Sequence, residues 1–141
     1  HFALSFTNQR ADVEAMCKIC GSEAIIISKI ESPAGVLNLE DILEVADKIL
    51  IDRWDRSRKA PLEKAPFLQR KLILIVKAKK RPVYVANNLL ETMVVQRTPS
   101  RAELNDVVST LLMRVDGLVL AAETAIGNYP VGAVYMISTL I

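Results

Sequence analysis

The chain has a single histidine, His1, and two cysteines among its 141 residues. A closed zinc site takes four ligands, so the pair Cys17 and Cys20 would need two more, and only His1 is there. Neither G-x-G-x-x-G nor G-x-x-x-x-G-K-[ST] occurs, which removes the fingerprints of dinucleotide and P-loop sites. No apolar run approaches the ~18–20 residues that span a bilayer, and the densest patch is Leu72 to Val76. There is no signal-peptide pattern. A dominant charge sign is also missing: 18 Lys and Arg against 16 Asp and Glu leave +2. That balance, with one Trp, gives no footprint for nucleic acid or for an anionic membrane. No internal repeat, linker or low-complexity stretch is visible.

What is there is apolar. The chain is 51% hydrophobic and 24% charged, at the length of one ordinary domain. More surface than usual must be buried, internally or against a partner. The first residues form a strand-like run, Phe2 to Phe6, and the last a helix-like run, Val131 to Ile141, with no initiator Met. The expectation is a piece of a longer chain.

Five short runs rich in β-branched or small residues read as strands: 2–6, 24–30, 48–52, 82–86 and 117–121. Between them lie segments of helical period. Residues 10–20 carry Val13, Met16, Cys17 and Cys20 on one stripe, which makes the two thiols core residues of an amphipathic helix and fits a reducing compartment. Residues 38–46 begin with Asn38 as N-cap. Residues 61–79 open with Pro61 in the first turn and end in Lys77, Lys79 and Lys80, which suit the negative end of a helix dipole. Residues 100–114 open on the capping box Ser100-Arg101-Ala102-Glu103. Residues 130–141 begin with Pro130. Alternating β and α segments predict parallel strands joined by right-handed crossovers. An open doubly wound sheet and part of a (β/α)8 barrel both fit. In either, ligands bind at the C-terminal ends of the strands. The polar residues fall there: Ser5, Lys29 with Glu31, Asp52 with Asp55, Asn87 with Asn88, Glu123 with Thr124.

Lys29 and Glu31 stand two apart, so a strand presents them on one face. An ammonium beside a carboxylate can hold a divalent metal and a developing oxyanion, or can be a quiet ion pair. Arg53-Trp54-Asp55-Arg56-Ser57-Arg58-Lys59 mixes cations with one aromatic; Trp and Arg favour a protein contact there over direct nucleic-acid contact.

In order along the chain, these segments resemble pyruvate kinase. Ile26-Ile27-Ser28-Lys29-Ile30-Glu31, then Gly35, then Asp41 to Asp47 resemble the family's "I-S-K-I-E-N…G…D-E-I-L-E-A-S-D". Pro61-Leu62-Glu63-Lys64 is similar to "I-P-x-E-K", Leu89 to Met93 to "M-L-E-S-M", and Arg97 to Glu103 to "R-P-T-R-A-E". Glu123-Thr124-Ala125 with Gly127, Tyr129 and Pro130 resembles "S-G-E-T-A-K-G-D-Y-P", and Ala3 to Phe6 repeats "A-L-S-F". The resemblance implies a TIM-barrel segment over residues 1–141, strands four to eight, with strands one to three and a lid domain upstream. It implies transfer of a phosphoryl group from phosphoenolpyruvate to ADP. It places Lys29 as the charge-stabilising lysine, Glu31 and Asp55 as ligands of Mg²⁺, and K⁺ on upstream residues. It sets Trp54, Asp55 and Asn87 around the substrate, with Asn87 where the family has the threonine tied to proton transfer. Five of eight strands leave open edges, to be covered by upstream sequence or by other subunits. The cytoplasm or a plastid is the expected compartment.

The chain also departs from the pattern. "A-R-G-D-L-G" becomes Asp52-Arg53-Trp54-Asp55-Arg56-Ser57, which loses both glycines, and glycine serves where backbone must approach a ligand closely. "A-T-Q" becomes Ala86-Asn87-Asn88, which loses the hydroxyl. Asn8 stands for the arginine of "S-F-x-R", and Ala121 to Ile126 lose a hydroxyl and a lysine of "S-G-E-T-A-K". Pro66 is expected to cost a helical hydrogen bond and kink the first turns. The resulting expectation is a degenerate, catalytically impaired relative kept as a structural or scaffolding subunit; the alternative is an active pyruvate kinase.

Overall fold

Three hydrophobic strands that keep their backbone pairing in register explain the first part of the structure, a computed structural model that describes residues 1–52, 62–86 and 88–141. Strands β1 (Phe2–Leu4), β2 (Ile26–Ile30) and β3 (Lys48–Asp52) run parallel, with Leu4 opposite Ser28 and Lys29 opposite Leu50. β4 (Val83–Ala86) and β5 (Gly117–Val119) follow in the same strand order, so the sheet runs in sequence order from β1 to β5. Helices alternate with strands: α1 (Arg10–Cys20), α2 (Pro33–Leu37), α3 (Leu39–Val45), α4 (Ala65–Ala78), α5 (Arg101–Leu112), α6 (Ala122–Ala125) and α7 (Pro130–Leu140). Single 3-10 turns occupy Leu62–Lys64 and Glu91–Val94. The chain divides into two compact units, 1–84 and 85–141. No described helix is long and apolar enough to cross a membrane.

In the first unit, β2 alternates as a pleated strand must. Ile26, Ser28 and Ile30 are fully buried, while Ile27 and Lys29 are half-buried on the other face. Val13, Ile42, Ile49, Leu72, Ile73 and Val76 complete that core. Fully burying one such side chain contributes roughly 1.5–3 kcal/mol, so the face carrying 26, 28 and 30 fixes the strand's orientation. The predicted stripe of α1 is present, with Val13 buried and Met16, Cys17 and Cys20 partly so; both thiols are free. In the second unit, Leu89, Leu90, Met93, Val107, Ala133 and Ile137 form the core.

Two local expectations need correction. Asn38 precedes α3 but makes no side-chain cap; its Nδ2 instead donates to the Asn8 carbonyl at 2.8 Å. The reason lies upstream, where Pro33 starts the separate helix α2 and Ser32 caps it, accepting from the Gly35 amide at 3.0 Å. Pro66 sits in the first turn of α4, where no intrahelical acceptor exists for an N–H, so it costs no bond. The predicted capping box of α5 is present: Glu103 N–H donates to Ser100 Oγ at 3.2 Å and Ser100 N–H to Glu103 Oε2 at 2.7 Å. Gly35 is needed because a Cβ there would run into the Thr7 carbonyl oxygen.

The Ser28 hydroxyl is buried with no hydrogen-bond partner among the described residues. Leaving such a group unsatisfied costs roughly 1–3 kcal/mol. Ser28→Ala should therefore hold or raise the thermal midpoint, by the equivalent of up to about 1 kcal/mol. A clear drop in calorimetry would mean the hydroxyl is satisfied.

Candidate active site at the strand ends

The parallel register builds the site. Lys29 pairs with Leu50 and Ile30 with Ile51, so one further step sets Glu31 beside Asp52 on the same face as Lys29. On the other side Leu4 pairs with Ser28, which sets Ser5 beside Lys29. The contacts follow this frame. Lys29 Nζ forms an ion pair with Glu31 Oε1, lies 3.5 Å from Asp52 Oδ2, and donates to Ser5 Oγ at 3.4 Å. The Glu31 carboxylate also accepts the Phe6 amide at 3.1 Å. Phe6 is held at φ 52°, a left-handed conformation uncommon outside glycine, and with its side chain exposed the backbone rather than the ring is what this position contributes.

The lysine side chain is 23% exposed, Glu31 10% and Asp52 14%, so the three charges interact in partly excluded water. Burial alone would lower the Lys29 ammonium, but its bonds to Glu31 and Asp52 outweigh this and hold it above the usual value. Burial raises Glu31, yet hydrogen bonds from Lys29, Asp52 and the Phe6 amide bring it below the usual carboxylate range. Asp52 goes the other way: burial, then its hydrogen bond and charge contact with Glu31, push it up to about 6. Two carboxyl groups sharing a hydrogen bond divide in this manner, one kept ionised and the other kept protonated longer.

Of the residues expected in the site, Lys29 and Glu31 come together as the strand period predicts. Asp55, Trp54 and Asn87 lie outside the described residues, as does the cationic run 53–59. Among the described residues there is no group of three or more His, Cys, Asp or Glu side chains placed to hold a metal. The sequence sets Ser5 and Asp52 at strand ends without tying them to Lys29 and Glu31, and gives no sign of the Phe6 amide. The register one step beyond the paired residues brings in Ser5 and Asp52.

Two departures from the "S-F-x-R" and "I-E-N" patterns meet beside this cluster. Asn8 and Ser32 bond to each other through Ser32 Oγ and Asn8 Oδ1, and the Ser32 hydroxyl also starts α2. In the second unit Glu123, in α6 just after β5, is fully buried and accepts the Leu90 and Ala121 amides at 2.9 Å each. Its carboxylate is engaged by backbone and holds loops together. Thr124 beside it is exposed.

Comparison with known proteins agrees with this arrangement of strands and strand-end residues. The family model for the pyruvate kinase barrel domain matches residues 1–134. A pyruvate kinase of Mycobacterium tuberculosis is 36% identical over 99% of this chain and 30% of its own length. One from Thermotoga maritima is 36% identical over 97% of the chain and 30% of that protein, and one from Methylorubrum extorquens 34% over 94% and 28%. The chain thus spans less than a third of the length of these curated relatives. A lysine and a glutamate converging at the tips of parallel strands, in a chain matched almost end to end, place it in the pyruvate kinase family as a segment of the barrel domain.

Proposed function

We propose that the protein is a catalytically impaired pyruvate-kinase relative whose barrel serves as a structural or scaffolding part of a larger assembly. One observation carries this reading: the Lys29 ammonium is already committed to Glu31, Asp52 and Ser5. In the family chemistry that the resemblance implies, this lysine offsets charge on the phosphoryl group and the enolate. Here the same charge is spent on two carboxyl groups of the chain itself. The sequence changes at Trp54, Ser57 and Asn87 point the same way, since they remove the close-approach glycines and the proton-relaying hydroxyl. Apolar residues exposed on α7, among them Val131, Val134 and Tyr135, suit cover by other subunits or by the rest of a longer chain. The free thiols Cys17 and Cys20 suit a reducing compartment.

Mg²⁺ commonly binds through one or two carboxylates with water and substrate phosphates, so Glu31 and Asp52 fit it in donor chemistry. When bound, the cation would neutralise anionic oxygens of a phosphate ligand. K⁺ would rest on residues outside this chain.

The second reading, an active pyruvate kinase, is favoured by the convergence of Lys29 and Glu31 at one strand tip. One assay separates the two. The full-length protein with Mg²⁺ and K⁺ should convert phosphoenolpyruvate and ADP to pyruvate and ATP no faster than its Lys29→Met variant. Robust wild-type turnover lost in that variant would establish the active enzyme and end the proposal.

A further inference from the structure

We infer that Asp52 is a specificity-determining residue: its carboxyl group occupies the place beside the Lys29 ammonium that a phosphate- or carboxylate-bearing ligand would take, and so keeps such anions out. The inference rests on the reading of these strand tips as the remnant of a phosphotransfer site. An ammonium has three N–H donors. Among the described residues, Lys29 Nζ meets Glu31 Oε1, Asp52 Oδ2 and Ser5 Oγ, one protein group for each donor. Glu31 and Ser5 match the family's own "I-S-K-I-E" and "A-L-S-F" strings. Asp52 is the newcomer, standing where "A-R-G-D-L-G" has alanine. A methyl group there would accept no bond and carry no charge, and one ammonium N–H with the space before it would be open.

The position of Asp52 is fixed. β3 pairs with β2 up to Ile51 opposite Ile30, and Ile49, Leu50 and Ile51 are buried, so the strand cannot slip without exposing them. Asp52 is thereby delivered to the site face. An anion approaching Lys29 meets two neighbouring carboxyl groups, Glu31 and Asp52, beside the ammonium. Exclusion by a like-charged side chain is a recognised route to specificity, and here one substitution supplies it.

The test is titration calorimetry on the full-length protein with two probes, inorganic phosphate and phosphoenolpyruvate, with chelator and then with Mg²⁺. Wild type should show weak or no saturable binding of either probe. Asp52→Ala should gain affinity on the order of tenfold or more for phosphoenolpyruvate, and Asp52→Ala with Lys29→Met should lose the gain. Asp52→Asn, which keeps the volume and drops the charge, should move in the same direction and serves if the alanine variant does not fold. The inference is overturned if neither Asp52 variant binds better than wild type, if the gain survives Lys29→Met, or if wild type already binds phosphoenolpyruvate as tightly as the variants. Turnover by the wild-type protein is a separate outcome: it ends the impaired-enzyme reading, whereas the comparison of Asp52 variants decides the role of Asp52.

Discussion

Truncating Glu123 to alanine should destabilise the second unit by about 3–5 kcal/mol, because two backbone N–H groups lose a charged acceptor inside the protein. The carboxylate is fully buried and takes the Leu90 amide with one oxygen and the Ala121 amide with the other, each at 2.9 Å. Hydrogen bonds to a charged acceptor are worth roughly 1.5–3 kcal/mol each, and the Leu90 amide is buried. Glu123→Gln should recover part of the loss, since its one carbonyl oxygen can accept from only one of the two amides. Urea unfolding of the full-length protein gives the magnitude, and amide exchange at Leu90 and Ala121 gives the location. An alanine variant with wild-type stability and unchanged exchange at both amides would show that the carboxylate does not hold these loops. The consequence for function is geometric. Leu90 follows β4 and Ala121 follows β5, so Glu123 sets the shape of two strand ends at which ligands of such barrels bind.

Glu123 also marks what sequence can and cannot disclose. Its place just past a strand was legible, but its bond to the Leu90 amide was not, because the loop after another strand brings that group up. Lys29 with Glu31 was legible because the strand period is local and strict. Asp52 was visible as a polar strand end, yet its membership of the cluster depends on the pairing of β3 with β2, which no local pattern encodes. The capping box of α5 was readable because both partners lie within one turn. The cap at Asn38 was misread for the opposite reason: its side chain is taken by Asn8, thirty residues away. Pro66 was misjudged by the position of a helix start, and a shift of that boundary turns a disruptive proline into a tolerated one. The family resemblance supplied the long-range frame, but it predicts shared residues; an acid replacing an alanine is where this chain's own physics has to be read.

Replacing Lys29 by methionine should cost about 2–4 kcal/mol at about pH 7.5, and most of that cost should disappear near pH 5. In the wild type, burial and Glu31 raise Asp52 to about 6, above its ordinary 3.8. A carboxyl group raised on folding contributes stability that is complete below its unfolded value and is lost as pH climbs through its folded value. The nearby ammonium limits that loss by pulling Asp52 down. Without it, Asp52 moves above about 6, and Glu31 loses the lysine hydrogen bond and charge that hold it low. Near pH 5 the variant keeps one shared proton between the two groups, and the missing ammonium matters little. Near pH 7.5 both are ionised and partly buried without the lysine's charge beside them, and each disfavours the other. Glu31 acts in a lower window: being lowered on folding, its contribution is lost only as pH falls below its ordinary range. Denaturant midpoints of wild type and Lys29→Met between these two pH values measure the gap, and adding Asp52→Asn should flatten it. A gap of constant size across the range would mean that the lysine stabilises the strand tips by packing alone, and the coupled charges of Lys29, Glu31 and Asp52 would then not be what holds the site together.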